Sequence, residues 1–226
     1  GALPLSFGRQ RLWSLDQLYP GGWADNAPVA LRMTGTLDVP TLERVLGEIV
    51  RRHEVLRTVF GVVEGVPVQE VLPAGPFRLE VEDLEHFPAE AREAEMLERA
   101  LAEARQPFDL ARGPLLRARL LRLSGEEHVF LVTLHHIVTD GWSTGIFFRE
   151  LKTLYAAFLR GEPSPLPEPT LQYADFAVWQ REHLQGETLE RQLAYWREAL
   201  RGAPAVLEIP THRPRPPAAA VRGGAR

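Results

Sequence analysis

Two adjacent histidines, His135 and His136, close an apolar run, and an aspartate and a glycine follow within five residues. The stretch reads Leu134-His135-His136-Ile137-Val138-Thr139-Asp140-Gly141-Trp142-Ser143. Imidazole is the side chain whose ordinary titration lies nearest neutrality, so a histidine held at the end of an element can take up and return a proton during group transfer. A lone core histidine is most simply a packing residue. Two histidines clustered with Asp140 and Gly141 are harder to read that way.

The elements that must position this cluster are legible on both sides. Val129-Phe130-Leu131-Val132-Thr133-Leu134 is rich in large and β-branched apolar residues and reads as a buried strand. Successive strand side chains point to opposite faces, so His135 and His136 cannot both enter one cavity. One is a candidate for chemistry and the other packs or hydrogen-bonds behind it. The same divergence argues against a metal centre, as does the lack of cysteine and of other ligands at usual spacing. A helix over Ile146–Phe158 follows, with Ser143 as its expected cap. Its N-terminus, beside the histidines, carries free N–H groups suited to a developing oxyanion, the Gly141 N–H among them. If Asp140 is buried it needs a fixed cation, because an unpaired buried carboxylate is costly. Arg52 and Arg57 are the best candidates.

The chain of 226 residues is 45% hydrophobic and 25% charged, an ordinary globular balance for one large domain or two small lobes. A net charge of −4 gives no general basic field for nucleic acid. The absence of cysteine excludes disulfides and fits a cytoplasmic location. No run reaches the length of a membrane helix. The first residues, Gly-Ala without methionine, and a loop-like end suggest a piece of something longer.

Along the chain, Ser6 caps a short helix anchored by Phe7, Leu12 and Trp13. A strand over 27–34 leads through Gly35 to Asp38, which caps a helix with Val39 and Pro40 in its first turn. There Leu42, Val45, Leu46, Ile49 and Val50 form one apolar face. A hairpin over 62–72 turns at Glu64-Gly65, and a further strand is expected over 77–84. A charged helix over 88–106 turns Met96, Leu97, Ala100, Leu101 and Ala104 inward. Strands over 115–123 and 128–136 form a second hairpin. Pro163 to Pro169 is a proline-rich link. Two more helices follow it, the second marked by Leu189, Leu193, Trp196 and Leu200.

The motifs together resemble the condensation domain of nonribosomal peptide synthetases. The His-His-x-x-x-Asp-Gly-Trp-Ser stretch resembles that family's signature, and its shorter core is shared with chloramphenicol acetyltransferase-like acyltransferases. Ser6, Arg11, Leu12 and Trp13 match a first motif, Ser-x-Ala-Gln-x-Arg-Leu-Trp, although Gly8 replaces its alanine and Arg9 its glutamine. Arg52 to Phe60 matches Arg-His-Glu-x-Leu-Arg-Thr-x-Phe at every specified position, and Tyr173 to Trp179 matches Tyr-x-Asp-Phe-Ala-Val-Trp. Pro107-Phe108-Asp109-Leu110 is common in the family. The tail, Ile209-Pro210-Thr211-His212-Arg213-Pro214-Arg215-Pro216 and Arg222 onward, resembles the connector between its two lobes, with His212 in place of aspartate.

The resemblance implies an α/β (α+β two-layer sandwich) fold, one acetyltransferase-like lobe of a V-shaped pair with the site in a tunnel between them. Residues 1–162 would be the N-terminal lobe, and 163–226 the linker, helices and connector toward a missing C-terminal lobe. It implies amide formation between two thioesters held on phosphopantetheine arms of upstream and downstream peptidyl carrier domains, beside an adenylation domain. No cofactor is bound directly. His136 takes the amine's proton, His135 supports it, Asp140 is structural through an arginine (Arg52 or Arg57), Gly141 binds the thioester or oxyanion, and Trp142 packs. An epimerisation domain or another acyltransferase shares the core. Arg11-Leu12-Trp13 and the intact second motif favour condensation, and heterocyclisation would replace the histidines with paired aspartates. A non-catalytic, carrier-docking half-domain is the alternative of a different class.

Overall fold

The structure, a computed structural model, describes residues 1–206 and residue 210. The connector motif therefore lies outside the described residues. The element order is β1 (Leu3–Pro4), α1 (Phe7–Leu18), β2 (Asn26–Thr34), α2 (Val39–Arg52), a 3-10 turn (Glu54–Arg57), β3 (Thr58–Val63), β4 (Val66–Val71), β5 (Glu80–Asp83), α3 (Ala89–Arg105), β6 (Leu116–Ser124), β7 (Glu127–His135), α4 (Gly141–Leu159), α5 (Tyr173–His183) and α6 (Gly186–Ala199).

The strand that ends in the histidines is interior to a four-stranded sheet of order β2-β7-β6-β5. It pairs antiparallel with β2 (Val29 opposite Val132) and with β6 (Leu120 opposite Phe130). Its apolar run is continuous because both faces are covered. Phe130, Val132 and Leu134 join Leu42, Val45, Leu46 and Ile49 of α2 and Phe147 and Leu154 of α4 in the largest core. Val129 and Leu131 turn the other way, to Leu121, Leu123 and the α3 residues Met96 and Ala100. The expected helical layer over the sheet is thus α2 with α4, and α3 covers the opposite face.

A three-stranded sheet, β1-β4-β3, holds the chain's start. The β3–β4 hairpin turns at Glu64 (φ 50°) and Gly65 (φ 80°), two left-handed residues that match the twist of a two-residue turn. Ser6 and Asp38 cap α1 and α2 as their positions imply, accepting hydrogen bonds from the N–H groups of Arg9 and Thr41. The expected strand over 77–84 is shorter, because the Leu79 N–H donates to Glu43 Oε2 at 2.9 Å rather than to a sheet partner. Leu97, expected inside, is exposed.

The segment after α4 packs back on the chain's first residues. The Tyr173 hydroxyl meets Ser6 Oγ at 2.9 Å, the Phe7 N–H donates to Gln180 Oε1 at 2.9 Å, and Arg181 Nε donates to the Leu5 carbonyl at 2.6 Å. These contacts cross the boundary expected at residue 162. Helix α6 buries none of its side chains. No described helix is long and apolar enough to cross a membrane.

Candidate active site

Strand β7 stops at His135, and the chain turns through 136–138 before α4 begins at Gly141. The two histidines part at this corner, where the strand gives way to the turn. His135 is buried at 4% exposure, while His136 is exposed. His135 Nδ1 accepts the Ile137 N–H at 3.1 Å, which places the proton of the neutral ring on Nε2. Its ring meets Phe108 edge-on, with centroids 5.9 Å apart. Its other surroundings are a small cavity of about 200 Å³ lined by Leu15, Tyr19, Ala24 and Asp25.

The backbone on both sides of the His136 side chain is held by hydrogen bonds. Its N–H donates to the Asp25 carbonyl at 2.8 Å. The next N–H goes to His135, and the Ile137 carbonyl accepts from Arg9 Nε at 3.0 Å. Ile137 and Val138 are sunk into a core with Leu5, Phe60, Leu110 and Leu115. An exposed imidazole therefore stands on a corner fixed by buried neighbours. Arg9 and Asp25 escape a motif-based search, because one acts on a carbonyl and the other through its own. The only sequence signal was the departure from glutamine at position 9.

Asp140 is not the buried carboxylate that an arginine must neutralise. It is exposed and is the N-cap of α4, accepting the Ser143 N–H at 2.8 Å and the Ser143 hydroxyl at 2.7 Å. Those two donors, the N–H first, hold its carboxyl below the usual aspartate range. Ser143, expected as the cap, is the reciprocal partner three residues in. Its Oγ accepts the Asp140 N–H at 2.8 Å and completes a capping box. The expected Asp–Arg pair is absent among the described residues. Arg52, only 4% exposed, donates to the Pro167 carbonyl at 2.7 Å and lies 3.5 Å from Glu150 of α4, which also meets His53 Nε2 at 2.8 Å. Arg57 bonds the Leu72 carbonyl and Glu54. The second motif thus clamps the proline-rich link and the hairpin. Trp142, expected to pack, is 83% exposed.

A Cβ built on Gly141 would meet nothing within 4 Å. The space above the start of α4 is open, and the Gly141 N–H has no hydrogen-bond partner among the described residues. Imidazole and helix N-terminus lie five residues apart on one corner. That arrangement can pass a proton at one atom and stabilise negative charge at another.

Burial, the dominant cause, pulls the His135 imidazole from 6.5 down to about 4, with Asp25 opposing it and His136 adding to it. Between those values the unfolded chain binds a proton that the native chain refuses. The stabilisation is complete above pH 6.5 and is lost as pH falls toward 4, roughly 2–3 kcal/mol of it by pH 4.5. Urea unfolding at pH 7 and 4.5 checks this. The loss should shrink by about that amount in His135→Asn, and equal losses in both proteins would contradict it.

A model of the family described as Condensation domain matches residues 1–225. A linear gramicidin synthase of Brevibacillus parabrevis is 52% identical over 214 residues, which is 95% of this chain and 4% of that protein. Phosphinothricin tripeptide synthetase PhsC of Streptomyces viridochromogenes is 43% identical over 226 residues, 100% of this chain and 21% of that one. Among solved structures, the X-domain from teicoplanin biosynthesis superposes with a TM-score of 0.83 at 33% identity, over 95% of this chain and 47% of that chain. The first condensation domain of the calcium-dependent antibiotic synthetase, in complex with a substrate analogue, gives 0.79 at 26%, over 90% and 48%. The chain therefore spans about half the length of these solved chains and a small part of the synthetases, and its fold is the acetyltransferase-like one expected from the motifs.

Proposed function

The chain belongs to the condensation-domain family, and we propose that it supplies the proton-handling wall of an amide-forming site in nonribosomal peptide synthesis. The observation that carries this reading is the exposed His136 imidazole on an anchored corner, beside the open N-terminus of α4. The substrates are two thioesters on phosphopantetheine arms of an upstream and a downstream carrier domain, with no cofactor bound by the chain itself. The downstream amine is already partly neutral near pH 7 to 8, so no strong base is needed. As its nitrogen bonds to the upstream carbonyl carbon, His136 accepts the N–H proton and the carbonyl oxygen gathers negative charge near the Gly141 N–H. Collapse re-forms the C=O, breaks the C–S bond, and returns the proton to the departing thiolate. Holding both tethered substrates in register supplies much of the rate.

Residues 1–162 are the N-terminal lobe and 163–226 begin the crossing to a second lobe, which closes the tunnel. Trp142, Trp179 and Trp196, all exposed, are surface for it to cover. A synthetase arrangement adds an adjacent adenylation domain. The other reading, a carrier-docking half-domain without turnover, is favoured by His136 standing on an open surface. A condensation assay with two loaded carrier domains separates the readings. Product should form with the chain continued through its second lobe and not with this chain alone. Failure of the continued form to turn over loaded carriers would leave only docking, and turnover by the short chain would remove the need for a second wall.

A further inference from the structure

Arg9 breaks three local rules at once. It is a cation in the first turn of a helix, where the backbone dipole already carries positive charge. It is buried at 3% exposure, and no carboxylate pairs with it among the described residues. Burial pulls its guanidinium down to about 10, and its Nη2 has no hydrogen-bond partner. Such a residue costs stability, and rule-breaking of this kind concentrates where function requires it.

Its side chain ties the histidine corner to two other elements. Nε donates to the Ile137 carbonyl at 3.0 Å, one residue beyond His136. Nη1 bonds Gln69, itself fully buried, and Gln69 Nε2 donates to the Pro4 carbonyl at 2.8 Å. The guanidinium carbon lies 3.7 Å from the Tyr173 ring centroid, and that tyrosine's hydroxyl is on Ser6. Arg9 thus spans from the histidine corner to β4 and to the first turn of α5. Together with the Asp25 carbonyl on the preceding N–H, its Nε closes the backbone clamp on His136.

We propose that Arg9 is a positioning residue: its Nε–H, by holding the Ile137 carbonyl, fixes the direction in which His136 meets the amine. The proposal rests on the reading of His136 given above. It makes a demand that a purely structural role does not. Glutamine carries an N–H donor at the chain position of arginine Nε. Methionine and lysine carry a methyl and a methylene there, and lysine alone of the three keeps the charge.

The test is a steady-state condensation assay on the chain continued through its second lobe, with thermal melts of each protein. The variants are Arg9→Gln, Arg9→Met, Arg9→Lys and His136→Ala. Arg9→Met and Arg9→Lys should each lose kcat by about ten- to a hundredfold, the penalty for a misplaced catalytic group, with KM for the carriers little changed. Arg9→Gln should stay within about threefold of the parent, because a donor remains at the Nε position. Full kcat in Arg9→Met or Arg9→Lys, with His136→Ala inactive, overturns the proposal and leaves the reading of His136 intact. Rescue by Arg9→Lys but not by Arg9→Gln also overturns it, because charge rather than the Nε donor would then matter. If Arg9→Met does not fold, the lysine and glutamine pair still decides. Parent-like turnover by His136→Ala removes the proposal together with the reading beneath it.

Discussion

His136→Ala in the chain continued through its second lobe should lower condensation by about 10²- to 10⁴-fold, the usual worth of a positioned proton acceptor. The structure predicts that this loss comes with almost no change in folding stability. His136 is exposed, it joins none of the apolar cores, and what fixes its corner is backbone. Its N–H bond to Asp25 and the bonds on either side survive truncation at Cβ. Surface truncations away from special features fall within about 0.5 kcal/mol. The pair of measurements is therefore a kcat for loaded carriers and a urea midpoint. Parent-like kcat would show that the site works by alignment of the tethered substrates alone. A large fall in the midpoint would show that His136 belongs to the packing, and the kinetic loss would lose its meaning.

Phe130→Ala is the opposite case, and its effect should fall on stability. Phe130 is 1% exposed at the middle of β7, across from Leu120 of β6, in the core that α2 and α4 cover. Removing a buried ring forfeits its transfer free energy and leaves a cavity that strands on both sides keep from collapsing. The expected cost is about 3–5 kcal/mol. Domains are stable by only about 5–15 kcal/mol, so the variant should unfold at a markedly lower urea midpoint with an unchanged slope. A cost below about 1 kcal/mol would mean that the sheet and helices relax around the gap, and that β7 is a softer support for the histidine corner than its burial implies.

What the sequence made legible was local or periodic. The apolar run of β7 marks where the strand ends at His135, and a single capping residue marks each of α1 and α2. At Glu64-Gly65 the turn residues placed a hairpin. The partners of the arginines were not legible. Arg52 reaches the carbonyls of Leu166 and Pro167 and a glutamate nearly a hundred residues away, and a carbonyl leaves no trace in residue identity. The assumption that Asp140 was buried generated a cation that it does not need, because its own helix supplies the donors. Trp142, a packing residue by the resemblance, and Leu97, inward by its helical spacing, are both exposed, because neither a motif nor a period says which neighbours exist to cover a side chain.

The contacts between the chain's first residues and α5 also set an order of events during synthesis. Ser6, Phe7 and Arg9 find partners at 173 and 180, more than 160 residues later. A nascent chain reaches His136 well before those partners exist. The sheet can form around β7 from residues already made, whereas helix α1 gains its α5 contacts only after the ribosome has released residues near 180. The clamp on the histidine corner draws only on residues made before α4, from Asp25, Leu115 and Arg9, so a chain stopped just after α4 would hold the motif in place while the face of α1 that α5 covers still lay open.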